Sequence, residues 1–596
     1  MKIQTRIPFL IAALCGGVWG LGAARVLALE LHSALFLSIG GAALVAALGA
    51  GLAAGATHVL ALPALALLPL LLPTVDLLAG DFVPWRGPAL LGGGLALAMA
   101  NLAASTLAKV PEKVANSRGI RPPVIQKSKS SQITFARFRI NIGTAIAVLL
   151  PLLIYLPDIS PYVGRADTFE FQVVAPRLGI AHPSGYPLYI LVGKLFSLLP
   201  LGSVAWRVNL SSAVCAALAA GALYRTLARL KSDASTAPLA PLFAALTLAF
   251  SPTLWSRAIE AEVYALNALL VALGLWLATQ WATNRWNAAR ALPAFGLLIG
   301  VGMASHLTLG ALGLLALPLL VAAEPRPRPR ALLAAAGLGL LGLALYLYIP
   351  LRWPAITGEW MTPAHFLRFV ANAESGGALH PLAFWRDPAR WALVGERLLA
   401  QVSWPGLMLA LVGLPALTRR RWPLALGSAL ACAAWVWFNL SFYVADPDYS
   451  AFLIPAHVVL IFWIGIGIES LLTRLARFES SPATRNALRL IFLPLLALLP
   501  LSRLWITGPT LDAISHGRAD EAWGRYALHQ PLAEGAAILA DSEKFPPLYY
   551  LQQIAGLRPD LELVTLFNEA QYRADMEARL AAGQRVYLAR YLPGLD

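Results

Sequence analysis

Apolar runs close to the bilayer-crossing length of roughly 20 residues recur along the chain, parted by short polar segments. They lie at 7–29, 33–56, 58–79, 88–108, 139–157, 205–224, 235–251, 263–282, 291–322, 331–351, 399–417, 422–443, 451–472 and 488–506. The first is longer than a signal-peptide core and others follow at once, so it reads as a retained helix rather than a cleaved leader. The run 291–322 is too long for one crossing and is interrupted at Ser305-His306, where two short helices meet. Residues 188–201 are apolar but short and contain Lys194, the pattern of a helix lying in the interface. The pattern predicts a polytopic all-α membrane protein of about 15 transmembrane helices, four of them N-terminal. After residue 506 the pattern changes. Ala536–Asp541, Leu561–Thr565 and Val586–Ala589 read as short strands and Pro546–Ile554 as a helix, giving a small α/β domain.

Composition agrees. Of 596 residues, 58% are hydrophobic and 13% charged, against about 25% charged in soluble proteins. That excludes a cytosolic enzyme and a disordered chain. The formal charge of +15 invites a nucleic-acid reading, but its distribution is that of a membrane protein and argues against nucleic acid. Residues 108–139 hold eight basic groups against Glu112. Five later loops, at 225–233, 283–290, 324–330, 419–421 and 474–489, hold fifteen against three acids. These alternate with the other loops if the N-terminus is cytoplasmic. Segments 158–204, 252–262, 352–398, 444–450 and the tail then lie outside, and twelve of 31 acidic residues fall after 506. The expected organisation is a four-helix membrane unit (1–108), a basic cytoplasmic linker (109–138), a membrane body (139–506) and an extracytoplasmic domain (507–596). Cys15, Cys215 and Cys432 lie in apolar runs without paired spacing, so neither a disulfide framework nor a zinc site is expected. The Ala/Leu/Arg-rich composition and the lack of a eukaryotic retention signal point to a bacterial inner membrane.

Candidate chemistry concentrates in the first long outer loop. Asp167 and Glu170 are three residues apart, on one helical face or together at a helix start. They lie just beyond a membrane exit, at the depth where a lipid-linked head group sits. The alternative is a capping box, with Asp167 as cap and Glu170 as its reciprocal partner. The run His182-Pro-Ser-Gly-Tyr186-Pro187 is a rigid turn. Glu260 and Glu262, followed by Tyr264 and Asn267, stand at the outer end of another helix that follows Trp255-Ser-Arg257. His306 marks the apex of the broken run, as a site group or as a hydrogen-bonded structural residue. Arg352 follows Tyr346-Leu-Tyr-Ile-Pro350 and either snorkels to the interface or binds a lipid phosphate. Asp446-Pro-Asp448-Tyr449 is a short acidic turn. There is no P-loop, dinucleotide fingerprint, H-E-x-x-H or G-x-S-x-G. An active site outside the membrane has no nucleotide-sugar supply, so a donor must arrive on a lipid.

Several motifs occur in order: Asp167-Thr-Phe-Glu170, Gly179-Ile-Ala-His-Pro-Ser-Gly-Tyr-Pro-Leu-Tyr189, Trp206-Arg-Val-Asn209-Leu, Ser251-Pro-Thr-Leu-Trp255, Glu262-Val-Tyr-Ala-Leu-Asn267 and Tyr346-Leu-Tyr-Ile-Pro-Leu-Arg352. The series resembles glycosyltransferase family 117, whose eukaryotic members include a protein O-mannosyltransferase. It covers roughly 140–470, with a related look to the tail from Leu539. The resemblance implies a GT-C-like membrane body, an acidic base in the first outer loop, and a polyprenyl- or dolichyl-phosphate sugar as donor. The chain departs from the family's Asp-Ser-Gly-Glu by carrying Thr168-Phe169.

On this reading Asp167 is the base and Glu170 orients it or the acceptor. Arg352 is the first choice for the departing phosphate, with Arg257 and His306 behind it. His182, Tyr186, Glu262, Tyr264 and Asn267 contact substrate. Phosphate is a good leaving group, so no acid, no metal and no other cofactor is expected. The expected partners are the polyprenyl-phosphate sugar, membrane lipid and an acceptor protein or envelope glycan. The competing class is a secondary transporter or flippase, but the first outer loop has no counterpart in the second half, as a repeat would require. A third reading is a non-catalytic envelope assembly protein that binds a partner through its tail.

Overall fold

The computed structural model describes residues 6–29, 129–230, 239–372, 387–441, 447–477, 482–508 and 513–592, with scattered positions between 43 and 98. The chain forms two compact units, residues 1–157 with 200–202, and residues 158–199 with 203–596. In the first are helices α1 (Arg6–Leu29) and α2 (Lys129–Tyr155). Ala12 and Cys15 pack with Leu67, Leu70 and Ala98 in a small core. The runs expected at 33–56, 58–79 and 88–108, and most of the linker, lie outside the described residues.

The second unit opens with α3 (Ala166–Arg177) and the short α4 (Pro187–Ser197). Then come α5 (Val204–Leu230), α6 (Leu239–Ala249), α7 (Pro252–Ala258) and α8 (Val263–Ala282). Helix α8 starts where extended Glu262 gives way to an apolar run and stops at Thr283-Asn284, Asn284 lying in the left-handed region. The long run after it is indeed broken. Helices α9 (Ala288–Met303) and α10 (Gly313–Val321) are joined through residues 304–306 and a 3-10 turn, Leu307–Leu312. Helices α11 (Pro329–Leu343), α12 (Tyr348–Thr357) and α13 (Pro363–Val370) follow. Helix α14 (Pro388–Ser441) bends at Ser403 and Arg421, whose φ/ψ are not helical. Helices α15 (Ile454–Arg477) and α16 (Pro482–Thr507) complete the body.

Among the described residues five helices are long and apolar enough to cross a membrane, or six if the bent pair α6 and α7 is one span. The expected count of about 15 also includes N-terminal runs outside the described residues. The run 291–322 is broken into two shorter apolar helices, Ala288–Met303 and Leu307–Val321. Burial separates the roles of the spans. The apolar window of 450–474 is 89% buried inside the protein, whereas that of 329–357 is 17% buried and turns outward. Helices α9 and α11 pack backbone to backbone, because a Cβ on Gly296 or Gly300 would sit within about 2 Å of the Ala335 or Gly339 carbonyl oxygen.

After α17 (Ala513–Leu528), strands β1 (Ala537–Ala540), β2 (Glu562–Thr565) and β3 (Val586–Leu588) alternate with α18 (Phe545–Ala555) and α19 (Glu569–Ala581). The sheet is parallel in the order β2-β1-β3, with Leu539 opposite Val564 and Leu588. The central strand is apolar and buried throughout, as a parallel strand covered on both faces must be. Ala537 and Leu539 pack on Tyr572. Ile538 and Ala540 share a core with Leu548 and Leu551 and also with Val163, Val173 and Ala205. The domain thus packs against α3 and α5 through α18.

Candidate active site

Helix α3 begins after Arg165, whose side chain makes no capping bond. Asp167 sits in its first turn, where the helix dipole favours negative charge. The capping box has not formed, because Glu170 reaches instead to His182. Its Oε1 accepts the His182 backbone N–H at 2.8 Å, and its Oε2 lies 2.5 Å from Nδ1 of the ring. The other ring nitrogen, Nε2, is 3.9 Å from Asp167 Oδ2. Both oxygens of Glu170 are thus committed to one histidine, which stands between the two carboxylates.

The turn that returns His182 to α3 depends on Gly185. Its N–H closes onto the His182 carbonyl at 2.7 Å, its φ is +88°, and a Cβ there would meet Ile349 at 2.6 Å. Three non-glycine residues of this segment, Ala166, Leu178 and Tyr186, also have positive φ. Each costs on the order of 1 kcal/mol, a concentration of strain typical of functional loops. A buried network holds the segment: the Gly164 N–H donates to Gln172 Oε1 (2.8 Å), Gln172 Nε2 to Asn209 Oδ1 (2.9 Å) and Asn209 Nδ2 to the Ser160 carbonyl (3.0 Å).

Ring contacts extend the site. Tyr186 lies 4.9 Å from the His182 ring and 6.1 Å from His306, which is 6.3 Å from Tyr264. Buried Glu262 precedes α8, and its backbone exchanges hydrogen bonds with the Ser212 hydroxyl. Arg257 Nη1 sits 3.4 Å from Glu262 and 3.5 Å from Glu260. Asn267 Oδ1 accepts from Ser305 Oγ at 2.8 Å and so pins the helix break that carries His306. Asp167, Glu170, His182, Tyr186, Arg257, Glu262, Tyr264 and His306 therefore share one neighbourhood, with Asn267 behind it.

Arg352 reaches the end of α3 from α12. Its Nε donates to the Leu178 carbonyl at 2.7 Å, while Lys194 Nζ donates to that of Pro176 at 2.5 Å. Both cations satisfy the C-terminal end of α3, where carbonyls lack partners and the dipole is negative. From Asp167 to Leu178 the helix rises about 16 Å, so Arg352 is anchored at the opposite end from the base candidate. Asp446 lies outside the described residues, and Asp448 is in a 3-10 turn.

Burial lowers the pKa of His182, but the Glu170 hydrogen bond and the charges of Glu170 and Asp167 outweigh it, and the net shift is upward. Burial and the carboxylates Asp167, Glu170 and Glu262 push the Tyr186 hydroxyl well up, so it stays protonated. Asp167, Glu170 and His182 also offer ligand atoms within 4.8 Å of one another, a set able to hold a metal ion.

Sequence reasoning missed two contributors. Gln172 and Asn209 fix α3 to α5, a pairing of ordinary amides 37 positions apart. Phe169 packs edge-on against Phe545 and Tyr549, both at 6.1 Å, and so ties the carboxylate helix to α18. Its only signal was the departure Thr168-Phe169. The Arg165–Asp520 ion pair at 2.8 Å and the Tyr550 hydroxyl, which accepts from the Ala205 N–H at 3.0 Å, add to that tie.

Residues 167–328 match the family described as "Protein O-mannosyl-transferase TMEM260 N-terminal domain". The likeness is confined to this stretch. It opens on Asp167 and includes the carboxylates, His182, Tyr186, Arg257, Glu262, Tyr264, Asn267 and His306. The mouse protein O-mannosyl-transferase TMEM260 is 42% identical over 108 residues, covering 18% of this chain and 15% of the mouse protein. The Dictyostelium discoideum protein is 32% identical over 165 residues, covering 25% of this chain and 20% of its own length. The chain thus spans a fifth or less of these curated relatives. Over the matched stretch the resemblance to protein O-mannosyltransferases is borne out. Both relatives are eukaryotic and give no support to a bacterial membrane. Among solved structures, ArnT from Cupriavidus metallidurans in the apo state aligns with a TM-score of 0.48 at 12% identity, over 77% of this chain and 90% of ArnT. The form bound to undecaprenyl phosphate gives 0.46 at 14%, with the same coverage.

Proposed function

We propose that the chain transfers mannose from a polyprenyl-phosphate carrier to a hydroxyl of a protein or envelope glycan, on the extracytoplasmic side and with inversion at the anomeric carbon. One observation carries this reading: Asp167 and a His182 held by Glu170 share a neighbourhood with Arg257 at one end of bilayer-length helices. Mannose is supported by what the TMEM260 relatives are named for. A lipid carrier is supported by the membrane setting, where no soluble nucleotide sugar is on hand.

Asp167 removes the acceptor's hydroxyl proton as its oxygen attacks the anomeric carbon. The carbon–oxygen bond to phosphate breaks on the opposite face. Glu170 is a positioning residue: it keeps His182 protonated and aimed at Asp167, so that the base stays ionised. Arg257 receives the phosphate charge, with His306 as a second contact; Arg352 holds the end of α3. Tyr186, Tyr264 and Glu262 contact the sugar, and Asn267 supports the break behind them.

No divalent ion is required, since a monophosphate needs only one or two cations. The test is a transfer assay with purified protein, a panel of radiolabelled polyprenyl-phosphate sugars and envelope or receptor-ectodomain acceptors. Mannose from the lipid donor should be transferred with inverted configuration and unchanged rate in a chelator. Transfer abolished by the chelator and restored by a divalent ion would shift the reading to a cation held by Asp167, Glu170 and His182. No transfer from any lipid-linked sugar would reject it.

A further inference from the structure

Helix α8, which follows Glu262, ends at its other terminus beside a basic cavity. Helix α8 starts at Glu262–Val263 and finishes at Thr283. Its 20 residues span about 30 Å, the thickness of a hydrocarbon core. Helix α5 places Ser212 beside Glu262 and Arg229 near its far end. Between these far ends lies a cavity of about 480 Å³ lined by Arg229, Thr283, Arg285, Arg420, Arg421 and Glu469, with Leu230, Leu417 and Ile466 as its apolar wall.

Four guanidiniums face one carboxylate, a surplus of three positive charges in the lining. The one acid is buried and paired with Arg420 at 2.9 Å. Arg421 marks the bend in α14, where non-helical backbone (φ −151°, ψ 67°) swings the chain around the cavity mouth. Two buried polar atoms lie within a turn of the lining. Gln280 Nε2, three residues before Thr283, and Thr473 Oγ1, four beyond Glu469, have no hydrogen-bond partner among the described residues. Guanidinium forks match phosphate oxygens in two directions, and an apolar wall beside them suits an acyl chain.

We infer that this cavity binds a phosphate-bearing anion, with an anionic phospholipid head group as the fitting occupant, at the membrane face opposite the transfer site. No step of the transfer reaction needs it. The source of the phosphate, lipid or soluble, is what the experiment separates.

The full chain in detergent is titrated with phosphatidylglycerol, phosphatidylcholine or inorganic phosphate, and binding is read by native mass spectrometry and by the shift in melting temperature. Phosphatidylglycerol should bind and stabilise, and phosphatidylcholine should not. Arg285 and Arg421 are exposed, so Arg285→Gln with Arg421→Gln should fold. At about 1 kcal/mol per basic residue, the pair should weaken phosphatidylglycerol about 30-fold. Arg285→Lys with Arg421→Lys should retain most of the affinity. Arg326→Gln with Arg328→Gln, which removes equal charge from another loop, should leave it unchanged. Inorganic phosphate that binds wild type and displaces the lipid would identify a soluble anion as an equal occupant of the same site. Equal binding of both lipids, or equal loss from both glutamine pairs, would overturn the inference.

Discussion

Glu170→Gln isolates the positioning role of one carboxylate without changing its size. In the folded chain Glu170 Oε1 accepts the His182 backbone N–H (2.8 Å) and Oε2 meets Nδ1 (2.5 Å). Glutamine keeps a carbonyl for the backbone N–H but presents an NH₂ group to Nδ1. The ring must then offer a lone pair there, and the proton moves to Nε2. A hydrogen bond to a charged group is worth about 1.5–3 kcal/mol. Because the His182 side chain is 37% exposed and that of Glu170 26%, water screens the pair and the lower end applies, about tenfold in rate. The His182 pKa is raised above 6.5 by Glu170 and Asp167 against the pull of burial, so removing Glu170 lowers it. The assay is mannose transfer at saturating donor across about pH 5 to 8. Wild type should lose activity only above pH 6.5, as His182 deprotonates. Glu170→Gln should be about tenfold slower, with that limb shifted toward acid and donor affinity unchanged. Stability follows the same sign. A raised folded-state pKa gives a contribution fully present below the unfolded pKa and lost as pH rises through the folded one, so wild type should lose more melting temperature than the variant over that rise. A variant with wild-type rate and an unmoved limb would refute the positioning role.

Phe169→Ala should free α3 from the C-terminal domain. Two aromatic pairs, at about 0.5–1.5 kcal/mol each, predict a loss of about 1–3 kcal/mol, seen as faster hydrogen exchange in 545–555 and a slower transfer rate. Unchanged exchange there would contradict it. Arg352→Lys should be mild and Arg352→Ala should cost stability of about 1–2 kcal/mol, both with unaltered donor affinity. Weakened donor binding in the lysine variant would return the phosphate role to Arg352.

Much of this was legible before any coordinates. Glu262 followed by a largely apolar run of 20 residues marks α8, because such a run has one favourable state in a bilayer. The polar pair Ser305-His306 marks the break between α9 and α10 for the same reason. The crowding of Asp167, Glu170 and His182 was legible as a motif. Its internal wiring was not, since whether Glu170 caps its own helix or reaches His182 depends on the turn around Gly185. The partner of Arg352 was not legible, for a physical reason. It is a backbone carbonyl 174 residues away, and backbone acceptors leave no trace in side-chain patterns. Phe169 meets rings 376 and 380 positions later, again without a local signal. Which spans face lipid was not legible, because apolarity alone does not distinguish a lipid-facing helix such as 329–357 from one enclosed by protein, such as 450–474.

The central claim is that Asp167 is the base of a sugar transfer from a lipid phosphate. Its most direct test is a single-turnover measurement on Asp167→Asn, with donor binding recorded on the same preparation. Asparagine preserves the shape and removes the basic oxygen pair, so the rate should fall about 10²–10⁴-fold while the polyprenyl-phosphate donor binds as in wild type. Near-normal turnover in Asp167→Asn, with Glu170→Gln inactive, would make Glu170 the base. Near-normal turnover in both would contradict the account.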